Sequence, residues 1–263
     1  MSSLAINKGL WVLTALSALV ASVVGVVHPA VYEGVVDPAI LPGVFTQDLL
    51  VLIAAAILLV LALAMKEDSH RSRIVGAGIL GFFFYAYGIY SIEQVYTFWY
   101  YLYLLVFALS FYSLIYLLVT FDYTAVALMD QPPAVRYLCG GYSIFVAIMF
   151  TIIWTARLFP LLETGDRIEY LFSIFIIDLV FVMPAMAIAG VLAARRRPLG
   201  IVGVPALFVL GVGILSPLAL AELIKPMRYG MPTVPEELWL YLALSVVFAV
   251  LTGIFLKTLR RNS

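Results

Sequence analysis

Apolar residues run in long blocks near positions 9–27, 49–65, 74–92, 98–121, 137–155, 170–194, 201–221 and 238–256, and polar residues gather in the stretches between them. Apolar runs of about 20 residues have the length of a helix crossing a hydrocarbon core about 30 Å thick. There every backbone amide must be satisfied within its own segment, so such runs read as helices and not as open strands. The pattern predicts an all-α, polytopic transmembrane helical bundle of about eight spans, with residues 1–263 forming one transmembrane domain. The block from 74 to 121 is too long for one crossing. Ser91, Glu93, Gln94 and Thr97 interrupt it near the length one bilayer needs, so it reads as a hairpin.

Two connections stand out by length, 28–47 and 222–237. Pro29, Pro38 and Pro42 in the first, and Pro226, Pro232 and Pro235 in the second, argue against further regular helix there. Both are placed as loops over one face of the bundle. The run after Lys8 is longer than a signal-peptide core and no A-x-A site follows it, so the first span is expected to be retained.

Composition agrees with bilayer as the solvent. The chain is 65% hydrophobic and 11% charged, with a mean hydropathy of +1.11, where soluble domains carry roughly a quarter charged residues. Fifteen basic and 15 acidic residues cancel, and no charged tail points to nucleic acid. Their distribution is informative. Lys8, Lys66, Arg71, Arg73, Arg136, Arg195, Arg196, Arg197, Lys257, Arg260 and Arg261 fall at one side of the predicted spans, and Arg157, Arg167, Lys225 and Arg228 at the other. The positive-inside rule then places both termini in the cytoplasm of a cell membrane, with the two long connections outside.

Landmarks recur between the halves 1–125 and 126–263. Leu63-Ala64-Met65-Lys66 and Leu192-Ala193-Ala194-Arg195 close spans two and six, and Ile74-Val75-Gly76 and Ile201-Val202-Gly203 open the spans that follow. Asp48 precedes Lys66 by 18 residues and Asp178 precedes Arg195 by 17, which sets the two carboxylates at similar depth. Glu93 and Glu222 close spans three and seven, and Trp99-x-Tyr101-Leu102-x-Leu104 matches Trp239-x-Tyr241-Leu242-x-Leu244. These matches suggest a 4+4 parallel internal repeat, with its axis along the membrane normal, as in parallel-repeat transporters.

The residues able to carry a function lie toward the outer ends of the spans. Asp178 is the most informative, because an ionisable group inside a span needs a partner or a water-filled cavity. Seventeen residues at about 1.5 Å each put it toward the outer edge of the core, where a structural hydrogen bond is the competing reading. Pro184 removes a backbone hydrogen bond just below it and predicts a kink. Asp48, Glu93, Glu222 and Lys225 read either as solvated helix ends or as a cluster converging with Asp178, with Lys225 or Arg157 as counter-ion. Ten of the 16 tyrosines fall between Tyr85 and Tyr123. Tyr96, Tyr100, Tyr103 and Phe107 share one helical stripe, while Tyr101, Tyr112 and Tyr116 share another. An aromatic belt is the plain reading, and a lipophilic pocket with hydroxyls that fix a polar group is the sharper one.

Several chemistries are disfavoured. His28 and His70 fall on opposite sides of the membrane, against a bis-histidine haem or a histidine-rich di-iron site. There is no H-E-x-x-H pair, G-x-x-x-x-G-K-[ST] loop or G-x-S-x-G elbow, and no lysine in the middle of the last two spans for a retinal Schiff base. Cys139 stands alone, without a disulfide partner. No metal or cofactor is expected.

The stretch from Gly78 through Phe82-Phe83-Phe84-Tyr85-Ala86-Tyr87 to Tyr116 resembles a group of uncharacterised prokaryotic multi-pass membrane proteins, as does Asp178 followed by Pro184 and Arg195-Arg196-Arg197-Pro198-Leu199-Gly200. The resemblance implies a bacterial or archaeal cell membrane and assigns no residue a role. Three function classes stay open. The first is a protein that binds or transports a small solute or lipid at an outward-facing site around Asp178, Asp48 and the tyrosine-rich hairpin. The second is a non-catalytic scaffold packing as a homo-oligomer or against a partner membrane subunit. The third is an enzyme acting on a lipid headgroup, which needs two acids within hydrogen-bond reach of one cleft.

Overall fold

The computed structural model describes residues 2–261, with the side chains of Arg260 and Arg261 excepted. Among them, eight helices are long and apolar enough to cross a membrane. They are α1 (Ser3–Val27), α2 (Leu41–Ala64), α3 (His70–Ile92), α4 (Tyr100–Val119), α5 (Pro133–Thr164), α6 (Phe172–Ala194), α7 (Pro198–Ile224) and α8 (Pro235–Thr258). The protein is an integral, multi-pass membrane protein. A short helix, Tyr123–Ala127, and a two-residue antiparallel bridge between Met129–Asp130 and Arg260–Arg261 close the face where both termini lie, here called the terminal face. The opposite, distal face carries the connections after α1, α3, α5 and α7.

The helices pair in the same order in each half: α1 on α2 and α3 on α4, then α5 on α6 and α7 on α8. The halves meet where α3 packs on α7, and α2 also lies against α7. Consequently α3 is buried along most of its length, while α4, α5 and α8 turn most of their surface outward.

Both connections expected as long loops are largely helical. Residues Pro29–Tyr32 and Pro38–Ile40 form 3-10 turns, and α2 begins at Leu41, eight residues before the apolar block does. Pro42 sits in its first turn, where a missing N–H leaves no bond unmade. At the other end α7 runs through a π-turn, Lys225–Tyr229, with Pro226 inside its first positions. Prolines mark helix starts here as well as loops. The hairpin between α3 and α4 is as expected, and Gln94 takes a positive φ of 58° at its turn.

Asp178 opens a second π-turn, Asp178–Val182, in α6, where the Met183 N–H bonds to the Asp178 carbonyl. Pro184 follows at once, so the wider winding lies at the place where the proline disturbs the hydrogen-bond ladder.

A cavity in one half and a sealed carboxylate in the other

Asp48 and Asp178 do not meet. Each is buried within its own half of the bundle, and α3 supplies a tyrosine to each.

In the first half, α1 carries Ala15, Ala18, Ser22 and Gly25 along its buried face, which lets α2 approach over the whole length. At Gly25 the approach leaves no room for even a methyl group. A Cβ there would lie 1.8 Å from Asp48 Oδ2 and 2.7 Å from the Tyr32 hydroxyl. Asp48, only 1% exposed, accepts hydrogen bonds from Tyr32 (2.6 Å) and Tyr90 (3.0 Å). Tyr87 and Tyr103 pack on Tyr90 with ring centroids 5.7 and 5.2 Å away. Tyr32 comes from the turn after α1, so the connection folds back and plugs the end of its own half. Burial, then the neighbouring Tyr90 and Asp48, hold the Tyr32 phenol well above its ordinary range.

In the second half, α5 and α6 are in close contact only near the terminal face. Gly140 and Gly190 meet backbone to backbone: a Cβ on Gly190 would fall 2.6 Å from the Gly140 carbonyl oxygen. The Ser143 hydroxyl donates to the Met186 carbonyl at 2.7 Å. Further out, Trp154 stands edge-on to Phe175 at 5.0 Å and wedges the pair apart. Helices α5 and α8 meet at Tyr142 and Phe248, 5.5 Å between centroids, and touch only lightly beyond.

The space so opened is a cavity of about 430 Å³ among α5, α6, α7 and α8, running from Val146, Met186, Leu207 and Phe248 to the distal face at Arg157 and Tyr170. That lies within the usual size of small-molecule sites, about 300–1,000 Å³. Its wall is mostly apolar. Asp178, 6% exposed, lies on it and accepts a hydrogen bond from Trp154 Nε1 at 2.8 Å, while the Tyr85 hydroxyl points at the same carboxylate. The Arg157 guanidinium lies 5.4 Å from the centre of the Trp154 ring, so one indole has a cation on its face and a carboxylate at its edge.

A second lobe of about 260 Å³ continues along the seam between the halves and shares Tyr85, Leu171, Ile174, Ile214, Leu218 and Tyr241 with the first. Glu93, Glu222 and Lys225 border it, but their polar atoms are engaged. Glu93 accepts from the backbone N–H of Leu171 (3.0 Å) and Ser173 (2.7 Å) and so caps the start of α6. Glu222 accepts from the Val234 N–H at 2.9 Å and forms an ion pair with Lys225. Of the tyrosine stripe, Tyr103 is buried among the rings around Asp48, Tyr100 donates to the Ser91 carbonyl at 2.8 Å, and Tyr96 is exposed, packed on Tyr100. Tyr101 and Tyr112 face outward.

Of the eight site residues proposed from sequence, Asp178 lines the larger lobe, Glu93, Glu222 and Lys225 line the smaller, and Asp48, Tyr96, Tyr100 and Tyr103 line neither. Trp154, Tyr85 and Tyr241 were missed as site residues. Trp154 was legible in one respect: Phe150, Trp154 and Arg157 are spaced to share a helix face, which sets a cation beside two aromatic rings in the outer part of the span. Comparison with protein families, curated proteins and solved structures returns no match for this chain.

Proposed function

We propose that the protein binds a small lipophilic molecule in the cavity among α5–α8, with Asp178 accepting a hydrogen bond from the ligand's polar group. The carrying observation is that a buried carboxylate, fixed by Trp154 and Tyr85, faces an apolar space of ligand size. Two donors leave part of an aspartate's acceptor capacity free, and an apolar wall around a few convergent polar groups is the usual form of a small-molecule site. With the termini in the cytoplasm, as the basic residues indicate, the distal face is the outer surface and the site opens outward.

The scaffold reading draws no support from a second half left open beside its acid. The lipid-headgroup enzyme needs two free carboxylates in one cleft, whereas Asp48 is sealed away and Glu93 and Glu222 hold backbone and Lys225. The test is thermal unfolding of the detergent-solubilised protein against a panel of lipophiles bearing hydroxyl or amine groups. A ligand that stabilises the protein, and fails to do so in Asp178→Asn, supports the site. Equal stabilisation of the two proteins by every active ligand places binding elsewhere.

A further inference from the structure

The polarity of the larger lobe is graded along the membrane normal, and the gradient specifies a class of ligand. On α5, Val146, Phe150, Trp154 and Arg157 succeed one another toward the distal face, and α6 descends from Asp178 to Met186. The polar groups of the wall therefore lie in its distal part, and the part nearer the bundle centre is aliphatic, aromatic and thioether. Lipids of the adjoining leaflet have the same polarity, head at the face and chain toward the midplane.

Of the helix seams around the lobe, the one between α5 and α8 is the most lightly packed. Among the described residues no hydrogen bond joins α5 to α8, and apart from Tyr142 against Phe248 the two helices touch only lightly. The corresponding helices of the first half, α1 and α4, are tied by Asn7 to Thr120 (2.9 Å) and Thr14 to Ser113 (3.1 Å).

The two charges of the lobe set the order of polar groups. Asp178, held at the level of Trp154, accepts; Arg157, three residues on and about 4.5 Å further out along α5, donates. No carboxylate pairs with Arg157 among the described residues; its guanidinium lies over the Trp154 ring, on the side of the lobe that Tyr241 of α8 also lines. A fitting ligand has, in order from the midplane, one apolar chain, a hydroxyl and an anionic group.

Building on the binding site proposed above, we propose that the ligand is a single-chain glycerophospholipid, taken laterally from the leaflet at the distal face. Its free glycerol hydroxyl donates to Asp178 and its phosphate lies on Arg157, with the acyl chain between Met186, Leu207 and Phe248. A guanidinium–phosphate contact is charge-assisted and frequently bidentate, which gives Arg157 the stronger say in head-group choice.

The experiment uses the full chain in phosphatidylcholine nanodiscs, with Trp99→Phe and Trp239→Phe so that Trp154 reports beside the sealed Trp11. Quenching by lysophosphatidylglycerol with a brominated chain is compared with quenching by the matching brominated monoacylglycerol, which keeps the hydroxyls and lacks the phosphate. Expected are saturable quenching by both and a preference of about tenfold or more for the phospholipid, the worth of one charge-assisted contact. Arg157→Gln should reduce the preference to about twofold or less without weakening the monoacylglycerol, and Asp178→Asn should weaken both. Inorganic phosphate alone should not displace the lipid. Equal midpoints for the two lipids, a preference unchanged in Arg157→Gln, or displacement by phosphate alone overturns the head-group assignment and leaves the binding site standing. Absence of saturable quenching by either lipid overturns the binding site as well.

Discussion

Helices α1 and α5 both set small residues against the helix that follows them, but in opposite order. On α1 the buried face runs from Trp11 near the terminal face through Ala15, Ala18 and Ser22 to Gly25 at the distal end. On α5 it runs from Cys139, Gly140 and Ser143 through Ala147 to Phe150 and Trp154. Small residues at the distal end let α2 close over Asp48 until even a Cβ is excluded. Large ones at the distal end hold α6 away, and Asp178 borders open space. The connections add to the contrast: Tyr32 folds back onto Asp48, whereas Tyr170 stands at the mouth of the cavity. The same residue type is enclosed by its partners in one half and borders a cavity in the other, because the neighbours' volumes decide whether anything else can reach it.

The sharpest way to break this contrast is to reverse one half. Gly25→Leu drives a side chain into Asp48 and Tyr32. It should destabilise the protein by about 3 kcal/mol or more in equilibrium unfolding from mixed micelles, the upper range of overpacking costs. Asp48→Ala should follow at about 2–3 kcal/mol, since it strands the hydroxyls of Tyr32 and Tyr90 in a sealed site. Asp178→Ala, measured in the same way, should cost under about 1 kcal/mol, because water in the cavity can serve Trp154 and Tyr85. Equal costs for the two alanine variants would contradict the assignment of one acid to structure and the other to binding.

Tyr32 sharpens the same comparison through pH. Below about pH 10 its phenol is neutral whether the protein is folded or unfolded, and its contribution is fully present. Above that value the unfolded chain ionises while the buried phenol resists, so stability falls as pH rises. Tyr32→Phe should lose about 1 kcal/mol at neutral pH and fall less steeply above pH 10 than the parent protein. A parallel fall in the two proteins would mean that Tyr32 is solvated. A similarly small effect is expected for Phe150→Ala, which should change stability by about 1 kcal/mol or less, well below the cost of emptying a closed core, because it enlarges a space already open.

Much of the architecture was legible. Blocks of 17 or more apolar residues in a chain with few charges leave no other solution than spanning helices, and Glu93, Gln94 and Thr97 mark the hairpin that the structure shows. The ends of α2 and α7 were misjudged because prolines at helix starts and in π-turns look the same in sequence as prolines in loops. The site was legible only as an address. Asp178 was marked by the cost of burying an acid, but the convergence expected for Asp48, Glu93 and Glu222 depended on which face each presents. Loop-supplied partners for those faces, such as the N–H groups of Leu171 and Val234 or the hydroxyl of Tyr32, have no periodicity to read.

The sequence alone therefore determined that the chain lies in a membrane, crosses it about eight times and carries an acid, Asp178, inside a span. Each of these follows from local chemistry: the apolar length of a segment and the position of a charge within it. Tertiary structure alone decided that one acid is sealed and the other faces a cavity. That difference arises where side-chain volumes on separate helices add up, at Gly25 against Asp48 and at Trp154 against Phe175, and no single segment contains the sum.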